Sequence, residues 1–206
     1  MLLSFTVIML QIQKMLFKEL RIGGTIPKLN MNRLVKGNSK LSKNILIFDT
    51  TAGKEGTCVM NCKNCYAKKA QRSYKHSRLF RAINTYLAKN HIDILENLIV
   101  NQILRTEDLS VIRLHSSGDF FSQDYVEMWD RIIKRFVYIK FYTYTKNFNL
   151  DFSEIEKNKN FNLIRSLITI NNETFINYGD KTHIEMLVKN GCFLCPATIK
   201  ENDKIV

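Results

Sequence analysis

The segment Ser110-Val111-Ile112-Arg113-Leu114-His115-Ser116-Ser117-Gly118-Asp119 decides the fold class. Its first part is apolar and β-branched, which predicts a strand over Ser110–His115, and its second part is a short polar loop. A helix is expected over Asp124–Phe136, where apolar residues recur at helical spacing and Ser122 is a candidate N-cap. A strand followed by a loop and a helix is typical of one βαβ unit.

The same alternation continues on both sides of this segment. Further strands are predicted at Asn44–Phe48, Tyr138–Thr143 and near Phe161–Thr169. Helices are predicted from Tyr66 to about Asn90 with a break near His76–Arg78, over Ile92–Arg105, and near Phe152–Lys157. Because at least four strands alternate with helices, the sequence predicts an α/β fold with a parallel sheet.

Composition supports a folded protein. The chain has 206 residues, of which 45% are hydrophobic, with 8 Gly and 2 Pro, which excludes collagen-like and disordered classes. We expect three parts: an N-terminal leader over 1–36, a central (β/α) domain over 37–176, and a cysteine-containing C-terminal segment over 177–206. The length suits one domain with a full core.

The N-terminus carries an apolar stretch, Met1–Leu10. Gln11, Gln13 and Lys14 interrupt it, well short of the roughly 20 residues that a bilayer span requires. It also lacks a basic n-region and a small-residue cleavage site. A cytoplasmic protein without a membrane partner is therefore expected.

The net charge is +12, from 31 Lys and Arg against 19 Asp and Glu. The segment Gly56–Ile92 holds eight basic residues and no acid. This pattern is compatible with binding nucleic-acid phosphates. The favoured interpretation is a compositional bias that leaves solvated basic faces, because charge clusters are common and carry no base-reading chemistry by themselves.

Five cysteines fall into two groups. Cys58, Cys62 and Cys65 have the spacing Cys-x3-Cys-x2-Cys in a loop after the first predicted strand, and Cys192 and Cys195 lie far downstream. An odd number without a secretory signal argues against a disulfide framework. Three thiolates can hold a 4Fe-4S cluster and leave one iron open. Zinc prefers four ligands and could recruit Cys192 or Cys195, so both metals remain open.

In this loop the chain resembles the radical S-adenosylmethionine enzymes, in which the open iron binds the amine and carboxylate of the cofactor. More narrowly, it resembles the gene product 88 family of phages and plasmids. The matching stretches, in the same order over roughly residues 37–200, are Gly37–Leu41, Thr57–Ala67, Arg113–Ser122 and Phe141–Lys146. The resemblance implies a partial parallel (β/α) barrel with a 4Fe-4S cluster on Cys58, Cys62 and Cys65.

The resemblance also implies a cofactor site. Ser116, Ser117, Gly118 and Asp119 stand where the radical S-adenosylmethionine enzymes usually carry Gly-Gly-Glu, so Asp119 is expected to accept hydrogen bonds from the cofactor amine. The aromatic residue that usually precedes the third cysteine is replaced by Asn64, and Tyr66 follows instead as the candidate adenine contact. The other interpretation of this loop is an ordinary turn in which Asp119 or Ser122 caps the next helix.

Other chemically suggestive residues have simpler interpretations. His115 ends an apolar strand and is predicted to be packed and hydrogen-bonded rather than a base. Tyr142, Tyr144 and Lys146 stand at the end of the third strand, where parallel α/β folds place ligands, although the two tyrosines could equally be core. Trp129 is predicted to be core.

The second cysteine group, Cys192-Phe193-Leu194-Cys195, is followed by Pro196. In the family that the chain resembles, further cysteines follow the Cys-Pro stretch, so either the chain is truncated or this second site is incomplete. We expect Cys192 and Cys195 to lie apart from the first group, in an exposed tail.

The leading functional hypothesis is an iron–sulfur enzyme that cleaves S-adenosylmethionine reductively and abstracts hydrogen from a substrate that the sequence does not identify. A separate reductase or flavodoxin-like protein would supply electrons. The alternative is a zinc-stabilised, basic nucleic-acid-binding protein without catalysis. A folded relic that binds nothing is a third possibility.

Overall fold

A computed structural model describes residues 2–37, 44–60 and 65–165, with the backbone of two short strands at 168–170 and 173–175. Cys62, Cys192 and Cys195 lie outside the described residues, as does the apolar run Ile184–Val188. Helices and strands alternate along most of this length. In chain order they are α1 (Leu2–Glu19), β1 (Val35–Lys36), β2 (Ile45–Phe48), α2 (Tyr66–Ser73), α3 (Lys75–Asn90), α4 (Ile92–Leu104), β3 (Val111–Leu114), α5 (Gln123–Arg135), β4 (Lys140–Thr145), a 3-10 turn (Ile155–Lys157), β5 (Phe161–Arg165), β6 (Ile168–Ile170) and β7 (Glu173–Phe175).

Within the described ranges, the main sheet has five strands in the order β1-β2-β3-β4-β5. β2, β3, β4 and β5 are parallel, and β1 is antiparallel to β2. Register places Phe48 opposite Leu114, and Leu114 opposite Thr143, so the strands end together at one edge. β6 and β7 form a separate antiparallel pair. The predicted α/β class with a parallel sheet is confirmed, and the sheet formed by the described strands is open rather than closed into a barrel.

One face of the sheet is covered by helices. Leu46 and Phe48 of β2, and Ile112 and Leu114 of β3, point into a large core shared with α1, α3, α4 and α5. Trp129 of α5 is fully buried there, which confirms its prediction as a core residue. Because neighbouring side chains on a strand alternate between faces, Ile45, Ile47, Val111 and Tyr142 form a smaller apolar cluster on the opposite face.

The N-terminal part of the chain packs on the same core. Met9, Ile12 and Leu16 of α1 are buried in it, and α1 contacts α3. The two-residue strand β1 is held partly by a side chain: Gln102 of α4 accepts hydrogen bonds from the backbone N–H groups of Arg33 and Leu34 and donates to the carbonyl of Leu34. The segment expected to be a leader thus adds a helix and an edge strand to the described fold.

The predicted elements largely coincide with the observed ones. The long helical pattern after Tyr66 is broken between α2 and α3 at Tyr74, two residues before the expected His76–Arg78. Within the described residues, no helix is both long and apolar enough to cross a membrane.

Candidate functional site at the carboxyl edge of the sheet

The loop after β2 begins with a compact turn. Gly53 has a φ of +94°, and its carbonyl accepts hydrogen bonds from the N–H groups of Gly56 and Cys58. A Cβ on Gly56 would lie 1.9 Å from the carbonyl oxygen of Thr51, so only glycine fits at this crossing. The turn carries the first cysteine back toward the end of the sheet.

Cys58 and Cys65 are half-buried cysteines within this loop. Cys65 is the N-cap residue of α2 and makes no side-chain capping bond. Among the described residues no three His, Cys, Asp or Glu side chains form a group that could hold a metal ion, and Cys62, the middle member of the motif, is not one of those residues. A shared metal on the three cysteines therefore stays a prediction.

The loop after β3 is in direct contact with the loop after β2. Gly118 has a φ of +88°, and a Cβ there would lie 1.8 Å from Oγ1 of Thr50 and 2.6 Å from Oγ1 of Thr57. The two threonine hydroxyls are 2.8 Å apart, and Oγ1 of Thr57 accepts a hydrogen bond of 3.0 Å from the N–H of Asp119. Glycine at 118 thus allows the close approach that joins the loops.

Asp49 joins three elements at the end of β2. Its carboxylate accepts two hydrogen bonds from the Arg81 guanidinium of α3, one from the Ser116 hydroxyl and one from the Ser117 N–H. Asp49 and Arg81 are mostly buried, and the shortest N–O distance between them is 2.8 Å. A charged pair in this setting fixes geometry because both carboxylate oxygens also accept further hydrogen bonds.

Two side chains of α2 complete the contact between the loops. The hydroxyl of Tyr66, next to Cys65, donates a 2.6 Å hydrogen bond to the carbonyl of Ser116, while the Tyr66 side chain remains largely exposed. Gln71 accepts from the N–H of Ala52 at 2.6 Å, and Ser117 donates to the carbonyl of Thr50. The cysteine loop and the loop after β3 therefore form one continuous surface.

Asp119 faces the end of β4. One carboxylate oxygen accepts from the Phe120 N–H and the Thr145 hydroxyl, and the other accepts from the Lys146 N–H at 2.8 Å. Burial raises the pKa of Asp119 to about 6, and these hydrogen bonds oppose the rise. The residue ties β3 to β4. Ser122 is the N-cap of α5 but makes no side-chain capping bond.

His115 precedes this loop and is part of the core. It is buried, its Nε2 lies 2.9 Å from the Tyr125 hydroxyl, and its Nδ1 lies 3.4 Å from the Thr143 hydroxyl. Burial lowers the pKa of His115 to about 3, so the ring is neutral at physiological pH. The predicted packed, hydrogen-bonded role is confirmed.

The structure brings together the residues that the sequence proposed for cofactor binding, Tyr66 and Ser116–Asp119, beside Cys58 and Cys65. Their part in binding a cofactor stays a prediction. Asp49, Arg81 and Gln71 were missed as site residues. Asp49 carried a signal, since it is an acidic residue directly after a buried strand, but its partners come from distant parts of the chain.

Several charges of the basic segment are used within the protein. Arg81 pairs with Asp49, Lys68 lies 3.7 Å from the Glu55 carboxylate, and Lys89 donates a 2.6 Å hydrogen bond to the Gly56 carbonyl. Arg78 donates to the carbonyl of Leu20. These contacts hold α2 and α3 against neighbouring loops, so part of the charge has a structural role.

Fold and site together define a class: a mixed α/β protein with a cysteine-bearing loop at the carboxyl edge of an open, mostly parallel sheet. The chain belongs to the gene product 88 family, whose sequence model matches residues 29–191. Neither a curated protein nor a solved structure was found to match it.

Proposed function

We propose that the protein is an iron–sulfur protein of the radical S-adenosylmethionine type, with a cluster held by Cys58, Cys62 and Cys65. One observation carries the proposal: the Cys-x3-Cys-x2-Cys loop follows the first parallel strand and is hydrogen-bonded to the loop after the next strand. Ligands of open α/β sheets bind at this edge. The partial-barrel architecture of those enzymes belongs to the same proposal.

The donor set suits a cluster. Thiolates are the usual ligands of 4Fe-4S centres, and three of them leave one iron for a small molecule. Cys58 and Cys65 are only half-buried, so neither side chain is enclosed in the core. Cys65 stands at the N-terminus of α2, where exposed N–H groups and the helix dipole stabilise a negatively charged ligand.

The neighbouring residues have complementary roles in the proposal. Ser116, Ser117 and Gly118 bring backbone to the site without bulk, and Tyr66 offers an exposed ring to adenine. The buried Asp119 carboxylate already accepts three hydrogen bonds within the protein, and in the proposal it accepts one more from the cofactor amine. When bound, the cluster would supply the electron for reductive cleavage of S-adenosylmethionine. A separate reductase or flavodoxin-like protein would deliver that electron.

Metal analysis after anaerobic reconstitution tests the proposal. We expect about four irons per chain with absorption near 400 nm, and loss of iron in Cys58→Ala, Cys62→Ala and Cys65→Ala. Cys192→Ala is the matched control and should keep its iron. Bound zinc without iron, or full iron in Cys62→Ala, would contradict the assignment and favour the zinc-stabilised alternative.

Cofactor binding is a second test. Titration of reconstituted protein with S-adenosylmethionine should give weaker binding in Asp119→Asn, by about 1.5–3 kcal/mol for a lost charged hydrogen bond. Asp124→Asn removes an exposed carboxylate in the first turn of α5 and serves as the control. Equal affinities in the two variants would assign Asp119 a purely structural role.

A further inference from the structure

A second concave site lies beside Asp49, outside the cysteine loop. This cavity, called here the β1 crevice, has a volume of about 620 Å³. Its walls are the chain around β1, the first turns of α3, and the strand ends at Asp49 and Ser116. A volume of this size is typical of pockets for small organic ligands.

The β1 crevice is strongly basic. Among the described residues that line it, Lys28, Arg33, Lys36 and Arg81 are cationic and Asp49 is the single acid. Asp49 pairs with Arg81, so these two charges offset each other, and Asp49 also accepts hydrogen bonds from Ser116 and Ser117. The net positive charge of the lining therefore comes from Lys28, Arg33 and Lys36. Lys28 and Lys36 are exposed at the rim and form no ion pair within the described part of the chain. The crevice therefore favours an anion.

One hydrogen-bond donor of the Arg81 guanidinium has no acceptor among the described residues. Its Nε and Nη2 both bind Asp49, whereas Nη1 is buried and has no acceptor among the described residues. A buried guanidinium N–H without a partner is costly, so an anionic ligand oxygen at this wall would satisfy it. Arg33, by contrast, is occupied: its guanidinium donates to the carbonyls of Asn30 and Met31 and to the side chain of Asn84.

The rest of the wall is apolar. Leu79, Phe80 and Ile83 of α3, with Val35 and Ile47 of the sheet, line the crevice. The Phe80 ring is half-buried, and the Arg33 guanidinium lies over it, 5.1 Å from its centroid. A bare inorganic anion would leave this surface unused, whereas a ligand with a ring would cover it.

We propose that the β1 crevice binds a small organic phosphate with an attached ring, of the size of a nucleoside monophosphate. The phosphate lies between Arg81, Lys28 and Lys36, and the ring lies against the apolar wall. This proposal does not rest on the iron–sulfur function, because none of the described cysteines lines the crevice.

Calorimetric titration of the full-length protein with uridine monophosphate, uridine and inorganic phosphate tests it. Uridine monophosphate is chosen because it lacks the adenine and the methionyl group through which S-adenosylmethionine would bind at the cysteine site. We expect uridine monophosphate to bind more tightly than either part alone. The double variant Lys28→Gln/Lys36→Gln should weaken that binding on the order of tenfold, since two partly exposed charges are lost.

The matched control is Lys18→Gln/Lys159→Gln, which removes the same charge from exposed positions away from the crevice. It should bind uridine monophosphate like the unmodified chain. Equal loss in both double variants, equal binding of uridine and uridine monophosphate, or inorganic phosphate binding as tightly as uridine monophosphate would overturn the proposal. A single-stranded oligonucleotide that binds more tightly and depends on Lys28 and Lys36 would also overturn it, in favour of a nucleic-acid site.

Discussion

Asp119 is a buried carboxyl group, and its surroundings have opposing effects on its pKa. Removal from water disfavours its charge, while three hydrogen bonds from Phe120, Thr145 and Lys146 favour it. Desolvation is the larger effect, so the pKa rises from 3.8 to about 6. The residue thus holds a proton in the folded protein at pH values where the unfolded chain has lost it.

This shift predicts a pH dependence of stability. Between about pH 4 and pH 6 the folded state binds more protons than the unfolded state. The contribution of Asp119 to the unfolding free energy is therefore fully present below this range. It falls as pH rises through the range, by up to about 1.4 kcal/mol per pH unit. Denaturant unfolding of the unmodified chain and of Asp119→Asn across this range measures it. The unmodified chain should lose unfolding free energy relative to Asp119→Asn as pH rises. If the unfolding free energies of the two proteins changed in parallel with pH, the pKa shift of Asp119 would be contradicted.

Adding one methyl group at Gly118 is expected to have a large effect on the unfolding free energy. Gly118→Ala combines a left-handed backbone with overlap on Thr50, so we expect a loss of about 2–5 kcal/mol in the unfolding free energy. Gly24→Ala is the matched control, because Gly24 has a φ of +100° but no atom of the described residues lies within 4 Å of the new Cβ. It should lose only about 1–2 kcal/mol. Equal losses of unfolding free energy in the two variants, measured by urea unfolding, would show that the overlap with Thr50 does not destabilise the fold.

At the scale of elements, the Asp49–Arg81 pair fastens α3 to the end of β2. The same helix binds the strand edge through Asn84, whose amide donates to the carbonyls of Asp49 and Arg33. Because α3 is attached to the sheet through both Arg81 and Asn84, it holds the loops that follow β2 and β3 in a fixed position. The cysteine loop is further fixed by Lys89, near the end of α3.

Breaking this attachment should be costly. Arg81→Met leaves Asp49 buried without its cation, and we expect a loss of about 3–5 kcal/mol in unfolding free energy. Arg131→Met removes an exposed pair with Glu96, whose N–O distance is 2.6 Å, and should lose at most about 1 kcal/mol. In Asp49→Asn/Arg81→Met the loss should be smaller than in Arg81→Met alone. Equal effects of the Arg81 and Arg131 changes would contradict a structural role for the buried pair.

Most elements could be predicted from the sequence because their signals are local. The helical spacing of α5 and the β-branched run of β3 follow from neighbouring residues. α1 was missed because Met1–Leu10 is apolar on all sides and shows no helical face. β1 has only two residues, and its place depends on Gln102, which is 68 residues away from Leu34.

The site was only partly predictable for the same reason. Cysteine spacing and the Ser116–Asp119 loop are contiguous in sequence, so they could be recognised. The Asp49–Arg81 pair and the contact of Gly118 with Thr50 arise only when strands and helices meet. No periodicity or composition encodes such contacts.

For the whole molecule, α1 is predicted to be part of the cooperative fold. Ile12 is buried between α1 and the core, whereas Leu10 is partly exposed. Ile12→Ala should therefore lose about 2–5 kcal/mol in unfolding free energy. Leu10→Ala, the control on the same helix, should change it by less than about 1 kcal/mol. Thermal or urea unfolding checks this, and an unaffected Ile12→Ala would indicate that α1 unfolds separately from the sheet.

The strand order β1-β2-β3-β4-β5 is also the order in which the strands are synthesised. Each strand that leaves the ribosome can pair with the edge formed by the strand before it, and no later strand must be inserted between two that are already paired. Because the sheet grows in a single direction, a partly made chain exposes one unfinished edge at a time. This topology suits folding during translation and limits the time for which that edge can pair with another chain.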